Sequence, residues 1–217
     1  MHAIEVGQKF ERTWRIISHP RFLSRHGLGN EVPFFIEAYK PQNEHDVVSH
    51  ISALHQRLQT FGISTVLLPV YDILIDVLAS VNRLQKVFDW EPSVPKTPDA
   101  GTRRTFLAEM EKFADPGVGK PLHSAIAERL QNQPDHQLVL MYQLGAVFPY
   151  LRTHTLLNNL HSLITDVPLI VFFPGHYVSS EQDGYYFSLF DRFRTEYYRA
   201  FQLEDYIERG QIRADIE

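Results

Sequence analysis

Apolar residues along this chain follow two rhythms, and the alternation between them sets the expected architecture. From Phe10 to Ile17 they recur at i, i+3/i+4 and i+7, the period of an amphipathic helix. Pro20 marks its end. After Pro33 comes Phe34-Phe35-Ile36-Glu37-Ala38-Tyr39, a short aromatic and β-branched run that reads as a strand. Helical spacing returns over 43–61 with Val47, Ile51, Leu54, Leu58 and Phe61; Asn43 stands as N-cap and Gly62 as the residue just past the end. The stretch 64–70 is nearly continuous in apolar residues, as in a strand covered on both faces. Helices are then expected at about 71–88, 102–113, 122–130 and 149–163, with strands at 136–144 and 167–173. Two further β-like runs, at 185–190 and 197–203, precede a polar C-terminal helix or coil.

Helices alternating with buried strands argue for an α/β layered fold with a mostly parallel sheet flanked by helices, Rossmann-like in outline. At least four strands are expected, and the last β-like run adds an edge strand. Gly27-Leu28-Gly29-Asn30 reads as a turn before the first strand. Three prolines among Pro92, Pro95 and Pro98 make 91–101 a loop. The same pattern resumes after it, so residues 1–217 are expected to form a single α/β domain. No internal repeat is present.

Charge and composition narrow the function. Lys plus Arg number 21 against 26 for Asp plus Glu, a formal balance of −5. Such an acidic chain argues against direct nucleic-acid binding, which draws its affinity from basic surface. The absence of cysteine removes disulfides, thiolate metal sites and Cys nucleophiles, and fits a cytoplasmic protein. Met1–Val6 lacks a basic patch leading into an apolar run, so no secretory signal is expected. The longest apolar stretches fall far short of the roughly 20 residues that span a bilayer, so no membrane role is expected.

The familiar catalytic patterns are missing. Pro116-Gly117-Val118-Gly119-Lys120-Pro121 comes closest to a phosphate-binding loop, but Ala114 stands where its first glycine belongs and Pro121 where its hydroxyl belongs; it reads as a helix–helix turn. Gly27–Asn30 lacks the third glycine of a dinucleotide fingerprint. His45, His50 and His55, spaced by five, do not share a helix face, so no metal site is expected from them. No Gly-x-Ser-x-Gly elbow is found. Neither a catalytic residue nor a cofactor is assigned.

Two regions remain. Ligands of open α/β sheets lie beyond the carboxyl ends of the strands. Gly145, Arg152, His154, Asn158, Gly175 and Tyr177 follow two such ends, and Tyr150, His154, Asn158 and His161 are spaced to share one helix face. A crevice there would suit a nucleotide or small anion, with Arg152 as its counter-charge, in a sensor or an enzyme. The second region holds nine aromatic residues between Tyr177 and Phe201, interleaved with Arg192, Arg194 and Arg199. That mixture matches protein–protein hot spots, and Tyr197, Tyr198, Arg199 and Phe201 are its candidate interface.

Four segments together carry a family resemblance. Gly27-Leu28-Gly29-Asn30-Glu31-Val32-Pro33-Phe34-Phe35-Ile36 is followed by Arg152-Thr153-His154-Thr155-Leu156-Leu157-Asn158-Asn159-Leu160, then by Val167-Pro168-Leu169-Ile170-Val171-Phe172-Phe173-Pro174-Gly175-His176-Tyr177, then by Tyr197-Tyr198-Arg199-Ala200-Phe201. In this order they resemble the BrxB family of bacteriophage exclusion (BREX) defence systems, over residues 10–203. The resemblance implies a role in phage defence beside a large ATPase, a DNA methyltransferase and PglZ, an alkaline-phosphatase-like protein. It implies no catalytic residues. It points to a non-catalytic adaptor or assembly partner, with PglZ as the leading partner.

Overall fold

The computed structural model describes residues 2–25, 33–96, 101–180, 184–190, 192–196 and 200–208. In chain order they form α1 (His2–Ile17), α2 (Pro20–Leu23), β1 (Phe34–Tyr39), α3 (Glu44–Thr60), β2 (Thr65–Pro69), α4 (Val70–Ser80), α5 (Leu84–Trp90), α6 (Gly101–Ala114), α7 (Pro121–Gln131) and β3 (Leu138–Tyr142). Then follow α8 (Thr153–Leu160), β4 (Leu169–Ser180), β5 (Gly184–Leu189), β6 (Phe193–Glu196), β7 (Phe201–Gln202) and α9 (Asp205–Glu208). The turn expected at Gly27–Asn30 lies outside the described residues.

The sheet runs β2-β3-β4-β1-β7, every neighbouring pair parallel. This is the expected α/β architecture. Alternation of side chains along each strand divides the core in two. Phe34 and Ile36 of β1, Val171 and Phe173 of β4, and Val139 and Met141 of β3 face α4, α6, α7 and α8. Phe35 and Tyr39, Ile170 and Phe172, and Leu138 and Leu140 face α1, α2 and α3. Both faces are covered, which is why these strands read as unbroken apolar runs. The chain moves from β1 to β2 along the α3 face and returns through β3 to β4 along the other, as a constant crossover hand requires.

Several elements depart from expectation. Helix α1 begins at His2 rather than near Phe10. The helix expected over 71–88 is split into α4 and α5, with Asn82 between them at a φ of 55°. The segment expected to be helical from 149 becomes α8 only at Thr153, after an extended Arg152. Tyr150 therefore does not share a helix face with His154 and Asn158: its hydroxyl turns to Glu91 at 3.4 Å and its ring to Phe106. Asn43 sits at the start of α3, but its side chain makes no capping bond.

The largest departure is in β4. Pro174-Gly175-His176-Tyr177 was expected as the loop after a strand ending at Phe173, yet the strand runs on to Ser180. Its first half pairs in parallel with β1 and β3, and its second half pairs antiparallel with β5. With β6 on the far side of β5, the extension forms an antiparallel arm beyond the parallel sheet. Proline is admitted because the pairing on one side is ending: Pro174 stands opposite Tyr39, the last residue of β1, and its carbonyl accepts from the Phe190 amide at 3.0 Å. Gly175, at a φ of 146°, makes the change of partner possible. A Cβ there would lie 2.1 Å from the Ser188 carbonyl oxygen.

Candidate functional site

Strand β1 carries one carboxylate in a run of apolar residues. Glu37 shares its parity with Phe35 and Tyr39, so it points toward the α1 face and is buried. Helix α1 answers it. Val6, Phe10 and Trp14 recur every four residues and bury one stripe; Lys9 and Thr13, also four apart, flank that stripe. The Lys9 ammonium lies 2.7 Å from Glu37 Oε1. The Thr13 hydroxyl lies 3.1 Å from Glu37 Oε2 and 3.0 Å from the Lys9 carbonyl, so its single proton serves one acceptor at a time.

Burial raises the Glu37 pKa above its ordinary value. Lys9 and Thr13 pull it back without cancelling the effect, and the charge of Glu204 adds to it. One residue pair further along, the Tyr39 hydroxyl donates to Glu44 Oε2 at 2.5 Å. Burial and the Glu44 charge push the Tyr39 phenol up, and burial also raises Glu44, against the opposing hydrogen bond from Tyr39.

Beside this group lies a cavity of about 250 Å3 at the carboxyl end of β1 and the middle of β4, lined among others by Lys9, Phe10, Glu37, Lys40, Phe172 and His176. No residue of this cleft except Gly175 figures in the crevice expected from sequence. The signals were present: one acidic residue inside a six-residue apolar strand, and a Lys-x-x-x-Thr pair on the facing helix.

The expected crevice is dispersed. Arg152 and His154 meet beside Phe148, Phe173, Phe187 and Phe193, around a gap of about 20 Å3, close to the space of one water. Burial, then the Arg152 charge, lowers the His154 pKa. Gly145 is roofed instead: a Cβ there would lie 3.1 Å from both the Phe190 ring and Pro174. Asn158 is exposed on α8. Gly175 lines the other cleft. Tyr177 is buried, its hydroxyl donating to the Ala200 carbonyl at 2.7 Å. Among the described residues no group of three His, Asp or Glu side chains converges as a metal site requires.

The antiparallel arm carries part of the aromatic and arginine-rich segment singled out in the sequence, but none of the four residues expected as its interface. The Arg194 guanidinium lies 3.7 Å from the Tyr186 ring centre. Phe193 is 45% exposed and leans on Phe148 at 4.8 Å. Phe201 belongs to β7, opposite Phe35, with its ring 5.9 Å away and half-buried. Tyr197, Tyr198 and Arg199 lie outside the described residues.

Comparison with known proteins converges on one family. The family model described as "BREX protein BrxB" matches residues 66–203. The chain is 31% identical over 202 residues to the BREX protein BrxB of Bacillus cereus (strain H3081.97), covering 92% of this chain and 98% of that one. It is 30% identical over 188 residues to the BREX protein BrxB of Escherichia coli O9:H4 (strain HS), covering 86% of each. No solved structure gives a significant match.

Proposed function

The chain belongs to the BrxB family and is thereby a BREX component with a role in phage defence; from that premise we propose that it acts as a non-catalytic adaptor whose principal partner is a PglZ-like protein. The large ATPase and the methyltransferase are secondary candidates, and the assembly is taken to be cytoplasmic. No helix among the described residues is long and apolar enough to cross a membrane.

The observation that carries this reading is the arm. Strands β4, β5 and β6 form an antiparallel arm whose inner side chains, Tyr177, Phe187 and Leu189, join the core on one face of the parallel sheet and leave its outer side to solvent. Its outer strand displays Phe193 together with Arg194 stacked on Tyr186. Exposed aromatic and Arg side chains on a rigid element are the usual energetic centre of a protein interface. The sequence that follows, Tyr197-Tyr198-Arg199, has the same aromatic and arginine composition.

The test is co-purification of the tagged chain with the other operon products. A PglZ-like protein is expected in the eluate. Phe193→Ala, Tyr198→Ala or Arg199→Ala is expected to reduce its recovery while the thermal melt stays unchanged. Full recovery with all three variants removes Phe193 and the Tyr197–Arg199 sequence from the interface, and absence of a PglZ-like protein removes the partner.

A further inference from the structure

The cleft between α1, β1 and β4 is a lined cavity that the adaptor role does not use. It opens at the carboxyl end of β1, where its parallel pairing with β4 stops. Near it the exits of the chain diverge, β1 leading to α3 on one face and β3 to α8 on the other. Open α/β sheets take ligands at such a divergence. The cavity, about 250 Å3, lies just under the range of roughly 300–1,000 Å3 typical of drug-sized ligands. It has room for one ring system with a polar substituent.

Its lining sets the chemistry. Val6, Phe10, Val47 and Phe172 supply apolar wall; the Phe10 and Phe172 rings stack on each other, 5.5 Å between centres, so a ligand ring meets the edge of this pair rather than a slot between the two. The ionisable lining groups are Lys9, Lys40, His176 and Tyr39, with Glu37 the carboxylate among them and Glu44 bonded to Tyr39. Lys9 is the pivotal group. Its ammonium has three donors, the acceptor it meets among the described residues is Glu37, and the side chain remains 34% exposed.

We propose that this cleft binds a small organic anion, a carboxylate or phosphate on a flat apolar body, with the anionic group among Lys9, Lys40 and His176 and the ring against Phe10 and Phe172. The shared chemistry is a charge-assisted hydrogen bond beside an aromatic wall. Gly175 and His176 come to the cleft from the first pairs of the arm, but the exposed Phe193 and Arg194 do not line it, so the adaptor reading can fail without affecting the site.

The purified full-length chain is titrated with benzoate, adenosine 5′-monophosphate and inorganic phosphate, followed by thermal melting and calorimetry. A saturable rise in Tm with benzoate or the nucleotide is expected, because a ligand of the native state stabilises it. The stronger of the two identifies a ring carboxylate or a nucleotide as the natural class. Lys40→Ala is expected to weaken that binding by roughly tenfold, the loss of one hydrogen bond to a charged group. Asn43→Trp is expected to fill the cleft and abolish binding; the Asn43 side chain makes no capping bond, so its replacement leaves the start of α3 intact. No shift with either organic probe overturns the proposal, as does an equal shift in wild type and a folded Asn43→Trp. Inorganic phosphate binding as tightly as both organic probes overturns the role of the aromatic wall.

Discussion

Lys9 and Glu37 meet at 2.7 Å across the boundary between α1 and β1, the carboxylate side chain 5% exposed and the amine 34% exposed. This pair fixes which turn of the helix lies over the strand. Sliding α1 by one turn would strand the carboxylate in an apolar layer, where an unpaired charge is costly. Lys9→Met is therefore expected to cost about 3 kcal/mol in urea denaturation, at the lower end of measured losses for broken buried pairs because the amine is partly solvated. The double variant Lys9→Met with Glu37→Met is expected to recover most of that loss. A single variant within about 0.5 kcal/mol of wild type, the range of ordinary surface changes, would show that the pair does not anchor the helix.

The same carboxyl gives stability a direction in pH. Its native pKa is raised above 4.5, first by burial. Between the unfolded and native values the native state holds more protons, so stability falls as pH rises through that window. Glu37→Gln removes this term. Denaturation midpoints measured at steps from pH 4 upward should show wild type losing ground to the variant. Parallel curves for the two proteins would contradict the assignment.

Gly175 and Gly62 test two kinds of glycine requirement. At Gly62 the φ is 77° and the space around a Cβ is open, so Gly62→Ala is expected to cost about 1 kcal/mol, the left-handed backbone penalty alone. At Gly175 a Cβ meets backbone at 2.1 Å. Gly175→Ala should be the more damaging, by about 3 kcal/mol or more, with faster amide exchange in β5. Equal melting temperatures for the two variants would mean the arm can shift aside.

The Tyr177 hydroxyl ties the arm to the edge of the sheet through the Ala200 carbonyl, both residues buried. Tyr177→Phe keeps the ring and leaves that carbonyl without its donor. A loss of about 1 kcal/mol is expected, read from chemical denaturation. No loss would indicate that another donor replaces the hydroxyl.

The layered fold was legible because its strands are buried on both faces, and such strands announce themselves as apolar runs: β1, β2 and β3 fall inside the segments read from periodicity. What misled the reading was punctuation. Asn82 breaks a helix with neither glycine nor proline beside it, through its tolerance of a positive φ. Pro174 and Gly175, the usual marks of a turn, lie inside a strand, because the residues opposite them, not their own propensities, decide the local structure. The cleft was missed for a related reason. Glu37 was absorbed into a strand pattern, and Lys9 fell one residue before the expected helix, so neither pointed to the other until the fold brought them together.

Because β4 runs without interruption from the centre of the sheet into the arm, the two regions share one phase of inward and outward side chains. A single-residue insertion between Leu169 and Phe173 would exchange the two faces for the whole downstream strand, turning Tyr177 away from Ala200 and placing His176 where Tyr177 now sits. An arm grafted onto this sheet must therefore keep the count of residues through β4, and a change of length is accommodated only in the connections between strands.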